Sequence, residues 1–123
     1  MIFKWLDIRL ARLGFVVAWI GVTALALMPA RDVTVSLGWD KLNHWTAFFT
    51  LAFLAAHSFP RQSFWRIALG LVIYGIGIEI VQGFTGRDAD VMDVVADSIG
   101  IIAYWLILLV YGVCVRVLPR AES

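Results

Sequence analysis

The stretch EIVQGFTGRDADVMDVVAD, residues 79–97, decides how this chain folds. It lies between two of the most apolar segments of the sequence. Yet it holds five of the nine carboxylates, together with a Gln and an Arg. Read as a helix end, a turn bracketed by Gly83 and Gly86, and a helix start, it joins two antiparallel apolar helices. Its acids then fall near a lipid boundary, where charge is costly and needs a reason.

The flanking segments set the class. The 123 residues are 62% hydrophobic, with mean hydropathy +0.88. A soluble domain is about half apolar. The composition indicates an integral membrane protein, all-α, with one domain over residues 1–123. A membrane span takes roughly 20 mostly apolar residues. Four segments qualify, at about 13–28, 43–59, 66–84 and 91–115, the second being the shortest. The expected architecture is a four-helix transmembrane bundle. Pro29, Pro60 and Pro119 follow the first, second and fourth segments, where proline stops a helix. The basic start and Ala24-Leu25-Ala26 mimic a signal peptide, but three more spans follow, so the first segment is expected to be retained. Residues 1–10 mix aromatics with charge and should lie at the interface or extend the first helix. Trp5, Trp39, Trp45, Trp65 and Trp105 are candidate interface anchors; the alternative for Trp105 is packing inside the bundle.

Lys and Arg give the orientation. Lys4, Arg9, Arg12, Arg61, Arg66, Arg116 and Arg120 fall on one side, and Arg31, Lys41 and Arg87 on the other. Both termini and loop 60–63 are therefore expected in the cytoplasm, with loops 29–42 and 85–90 outside. Only two acids, Asp7 and Glu122, join the seven inner cations, while seven acids join the three outer ones. The inner side carries +5 and the outer side −4, which gives the whole-chain +1. Cys114 is the single cysteine, which rules out an internal disulfide and a multi-thiolate metal site. No Gly-x-Ser-x-Gly, phosphate loop or nucleic-acid signature occurs. No cofactor and no oligomeric state follow from the sequence.

Helical spacing sorts the polar residues onto faces. Glu79 and Gln82 are three apart and share a face with Gly75. Glu79 lies roughly 7 Å below the outer end of its helix. Asp90, Asp93 and Asp97 form one stripe, continued by Gly100 and Tyr104. Asp93 lies about 5 Å, and Asp97 about 10 Å, inward of Asp90. Asp40, Lys41 and His44 open the second helix. Lipid cannot hydrogen-bond any of these groups, so the faces should converge inside the bundle. One site results: Asp40, Lys41, His44, Glu79, Gln82, Asp90, Asp93 and Asp97, with Arg87 over it from the loop.

Glu79, Asp93 and Asp97 are the deepest acids, and Lys41 and Arg87 the nearby fixed cations. Close carboxylates raise one another's pKa. The surplus can be relieved by protonated acids, by a protonated His44 or by a bound cation, and the spacing does not choose. No HExxH or repeated His spacing is present, so no metal ligands are assigned. The structural alternative is a polar staple holding the bundle, with Arg87 and Asp90 pinning the turn and Asp90 capping the fourth helix. His57 lies at the opposite end of the second helix and is expected to be an interfacial side chain.

At these residues the chain resembles the VanZ-like family of small bacterial membrane proteins. DKLNHWTAF (40–48), EIVQGFTGR (79–87) and DVMDVVADSIG (90–100) follow the family pattern. That pattern is D-K-x-x-H before an aromatic, then E-x-x-Q, a Gly-Arg turn, and D-x-x-D-x-x-x-N-x-x-G. Two positions depart: Asp97 stands where the family usually has Asn, and Phe48 where Tyr is common. The resemblance implies a multi-pass protein of the bacterial inner (cytoplasmic) membrane. It also implies an association with glycopeptide resistance, chiefly to teicoplanin, and supplies no reaction.

The leading expectation is an outward-facing polar pocket that binds an envelope lipid head group or a phosphorylated, lipid-linked precursor. Lys41 and Arg87 would contact phosphate. Glu79, Asp93 and Asp97 would orient them or hold a cation. The alternatives are an enzyme acting on such a lipid, with His44, Glu79 and Asp93 as candidate catalytic groups; an ion- or proton-coupled transporter; and a structural bundle.

Overall fold

The computed structural model describes residues 7–28, 40–86 and 90–118. They form four helices and no strand: α1 (Ile8–Leu27), α2 (Asp40–Ser58), α3 (Phe64–Gln82) and α4 (Val91–Val117). The all-helical expectation holds. α1, α3 and α4 are long and apolar enough to cross a membrane.

Local chemistry sets the helix ends. Asp7, Ser63 and Asp90 are N-caps in extended backbone, and each side chain accepts from the first turn it precedes. α1 and α4 stop at Met28 and Leu118, each just before a proline. A proline pushes the preceding residue out of the helical region. Both residues are accordingly extended, with ψ of 137° and 132°. After α3 the chain turns through Gly86, whose φ of 79° suits a residue without a Cβ. α1 begins at Ile8 rather than near residue 13. Arg9 and Arg12 end the apolar run, but an arginine does not break a helix.

α2 is the central element. It packs against α1, α3 and α4, whereas α1 and α4 do not approach each other among the described residues. Within 41–58 only Leu42 and Thr50 are exposed; in α1 only Ala11 is buried. The core is Phe48, Leu51, Ala52, Leu71, Ile101 and Tyr104. The Tyr104 ring meets Phe49 and Phe53 edge-on, at 5.7 and 5.6 Å between centroids, a favourable aromatic geometry. α2 and α4 touch backbone to backbone at Gly100, where a Cβ would lie against the Trp45 carbonyl oxygen and 3.1 Å from the Phe49 nitrogen. Small residues permit this approach between helices in lipid.

Two sequence expectations change. His57 is buried, 2% exposed, with Nε2 hydrogen-bonded to the Tyr104 hydroxyl at 3.0 Å. It is therefore not an interfacial side chain. It lines a cavity of about 210 Å³ with Tyr104 and Phe64, at the end of the bundle opposite the acids. Of the two placements for Trp105, the exposed one holds. Trp5 and Trp39 lie outside the described residues.

Candidate functional site

The first turns of α2 and α4 and the last turn of α3 meet at one end of the bundle. α2 brings Lys41 and His44, α3 brings Glu79, and α4 brings Asp93 and Asp97, with Asp90 as its cap. Glu79, Asp93 and Asp97 are 7%, 3% and 1% exposed.

Pairings run between helices. Lys41 Nζ donates to Asp90 Oδ2 at 2.6 Å and also to Asp93 Oδ1. His44 Nδ1 lies 2.8 Å from Asp97 Oδ1. With Asp97 ionised, and so only accepting, Nδ1 would carry the proton and Nε2 would be the acceptor. Nε2 is 3.5 Å from Asp93 Oδ2. Glu79 Oε1 accepts from the Asp90 backbone N–H, which ties the end of α3 to the start of α4. Its other oxygen, Oε2, is buried and has no hydrogen-bond partner among the described residues. His44, Glu79 and Asp93 each offer one ligand atom within 4.8 Å of the others.

The fit is tight under Asp97. A Cβ on Gly75 would come within 2.8 Å of Asp97 Oδ2 and 3.3 Å of the Phe48 ring. Gly75 therefore makes room on α3 for the α4 carboxylate. Asp97, at the position where a family Asn was expected, uses one oxygen towards His44, a role an Asn oxygen also fills.

The mouth and floor differ. Lys41 and Asp90 side chains are 26% and 46% exposed, while Asp93 behind them is 4% exposed. The hydrogen bond from Lys41, and then that from the Met92 N–H, hold the Asp90 carboxyl below its ordinary value near 3.8. Among the described side chains, Glu79, Asp90, Asp93 and Asp97 face one ammonium, that of Lys41. With His44 neutral and all four acids ionised the cluster would carry a surplus of three negative charges.

The other expected members fall as follows. Gln82 is buried, but its Nε2 donates to the Ala26 carbonyl at 2.9 Å, tying α3 to α1. The Asp40 side chain and Arg87 lie outside what is described. Asp90 does cap α4, with Oδ1 accepting from the Met92 N–H at 2.9 Å. Sequence reading missed that Lys41 bridges to α4. A lysine set opposite two acids a turn apart was the available signal.

A family model described as VanZ/LLP1 matches residues 3–112. No curated protein and no solved structure matches the chain.

Proposed function

This chain belongs to the VanZ/LLP1 family, and from that premise we propose that it is a multi-pass protein of the bacterial inner membrane whose acidic cluster is a binding site. The four helices span the bilayer with both termini in the cytoplasm. The cluster opens outward and takes the polar head group of an envelope lipid or lipid-linked precursor. One observation carries the reading: Lys41, part-exposed, stands at the mouth of a floor built from buried Glu79, Asp93 and Asp97. A bundle that needed only a staple gains little from this many ionisable groups at one depth. Lys41 is the described cation placed to meet a phosphate.

The test is native mass spectrometry of the full chain from nanodiscs containing phosphatidylglycerol and phosphatidylethanolamine. Wild type should retain phosphatidylglycerol, and Lys41→Met should lose it. Equal retention by both ends the reading. The His44–Asp97 pair supports a second reading, an enzyme in which His44 moves a proton on the same lipid. Turnover of a defined lipid by wild type, absent in His44→Gln, would establish it.

A further inference from the structure

We propose that His44, Glu79 and Asp93 bind one divalent cation of the zinc class. Each helix that meets at the site supplies one ligand: His44 Nε2 from α2, a Glu79 oxygen from α3 and Asp93 Oδ2 from α4. One potential ligand atom from each of the three residues lies within 4.8 Å of the others. Two ligands on a tetrahedral ion with bonds of about 2.1 Å are about 3.4 Å apart. His44 Nε2 and Asp93 Oδ2, at 3.5 Å, already stand at that separation. Glu79 supplies the third ligand from α3.

The second observation is Glu79 itself. Its residue is 7% exposed, and Oε2 is buried without a hydrogen-bond partner among the described residues. A carboxylate oxygen left bare in an apolar setting costs on the order of 1–3 kcal/mol or more. It calls for an occupant that offers positive charge.

The surrounding contacts are those of an outer ligand shell. Metal-binding histidines usually give the second ring N–H to a carboxylate, which fixes the tautomer; Asp97 receives the Nδ1 proton of His44. Glu79 Oε1 is held by the Asp90 N–H. Asp93 Oδ1 is held by Lys41. Each ligand residue is thus held by a neighbour through one of its atoms. A divalent ion also offsets negative charge carried by the four acids. The nitrogen ligand selects against Ca²⁺ and Mg²⁺, which prefer oxygen alone. With three protein ligands a fourth position stays open, as in sites that bind a further ligand. The cation site rests on the ligand-binding reading of this cluster and supplies what that reading lacks, added positive charge for a phosphate.

The experiment uses the full chain in detergent, stripped with chelator, then titrated with Zn²⁺ or Mn²⁺ alone, without lipid. Bound metal is counted by mass spectrometry of the purified protein. Wild type should take up one equivalent of Zn²⁺ and gain thermal stability, unchanged by excess Mg²⁺. Glu79→Gln and His44→Gln should each weaken uptake at least tenfold. Gln82→Leu, which alters a side chain that bonds α1 instead of the cluster, should leave uptake unchanged. That control separates loss of a ligand from a general loss of packing. No uptake by wild type, equal uptake by Glu79→Gln, or an equal loss in Gln82→Leu each overturns the cation site. Metal uptake with no retained lipid removes the head-group reading alone; retained lipid with no metal uptake removes the cation alone.

Discussion

Gly100→Ala should cost the protein both stability and its site. The added Cβ meets the Trp45 carbonyl oxygen well inside van der Waals contact, and lies 3.1 Å from the Phe49 nitrogen. All these atoms are backbone, so no rotamer change relieves the clash; α2 and α4 must separate by roughly 1 Å to restore an ordinary contact distance. Overpacking of this kind costs about 1–3 kcal/mol. Replacing a mid-helix glycine by alanine returns about 0.5–1 kcal/mol. The net loss is about 1–2 kcal/mol, or roughly 5–10 °C in Tm for a chain of this size. The same movement stretches the His44–Asp97 hydrogen bond, now 2.8 Å, beyond hydrogen-bonding range, because Asp97 lies one turn from Gly100. The assay is thermal unfolding in detergent, with Gly112→Ala as the control. Gly112 is on the same helix and has nothing within 4 Å of an added Cβ, so that variant should match or exceed wild type. If Gly100→Ala melts with wild type, the backbone contact between α2 and α4 does not limit their approach, and the reasoning fails.

Acid should uncouple α2 from the cap of α4. The folded pKa of Asp90 is depressed, so its contribution is fully present above its ordinary value near 3.8 and fades as pH falls below that. The Tm difference between wild type and Asp90→Asn should be constant from pH 7 to roughly 5 and shrink towards zero below about 4; a difference that grows in acid would refute it. Tyr104→Phe removes a buried hydrogen bond to His57 and should lower stability by about 1–2 kcal/mol in thermal unfolding, without altering metal uptake at the far end of the bundle. Gln82→Leu removes the tie to Ala26 and should cost about 1 kcal/mol, with faster hydrogen exchange at the end of α1; unchanged exchange there would show that the bond does not hold the two helices together.

The sequence carried most of the fold because its markers are local. Prolines after Met28 and Leu118, a capping acid at Asp90, and apolar runs of span length each act within a few residues. The 3- and 4-residue spacing of Asp90, Asp93 and Asp97 likewise put one face of α4 on the page, and two of these three acids are buried there. The partners within the cluster were not legible. Which acid Lys41 reaches depends on the rotation and stagger of α2 against α4, and those are fixed by distant contacts such as Gly100 on Trp45. Gln82 shows the same limit: helical spacing set it beside Glu79, but its side chain reaches α1 while Glu79 reaches the start of α4. His57 looked interfacial because a histidine near a helix end has water within reach; Tyr104, more than forty residues away, supplies a buried partner instead.

The central position of α2 has a consequence for biogenesis. Its neighbours shield it, so it can carry Lys41, His44 and His57 and fall outside the set of helices apolar enough to cross alone. Such a segment gains little by leaving the translocation channel into lipid unaccompanied. It should wait for α3, or enter paired with α1, and the polar cluster should assemble only once α4 has been made. Because α1 can anchor the chain by itself, the readout is α2: a cysteine introduced in α2 should react with a water-soluble thiol reagent in chains truncated after α2 and be protected in chains that extend through α4. The residues that equip the site would thereby also set the order in which the protein is built.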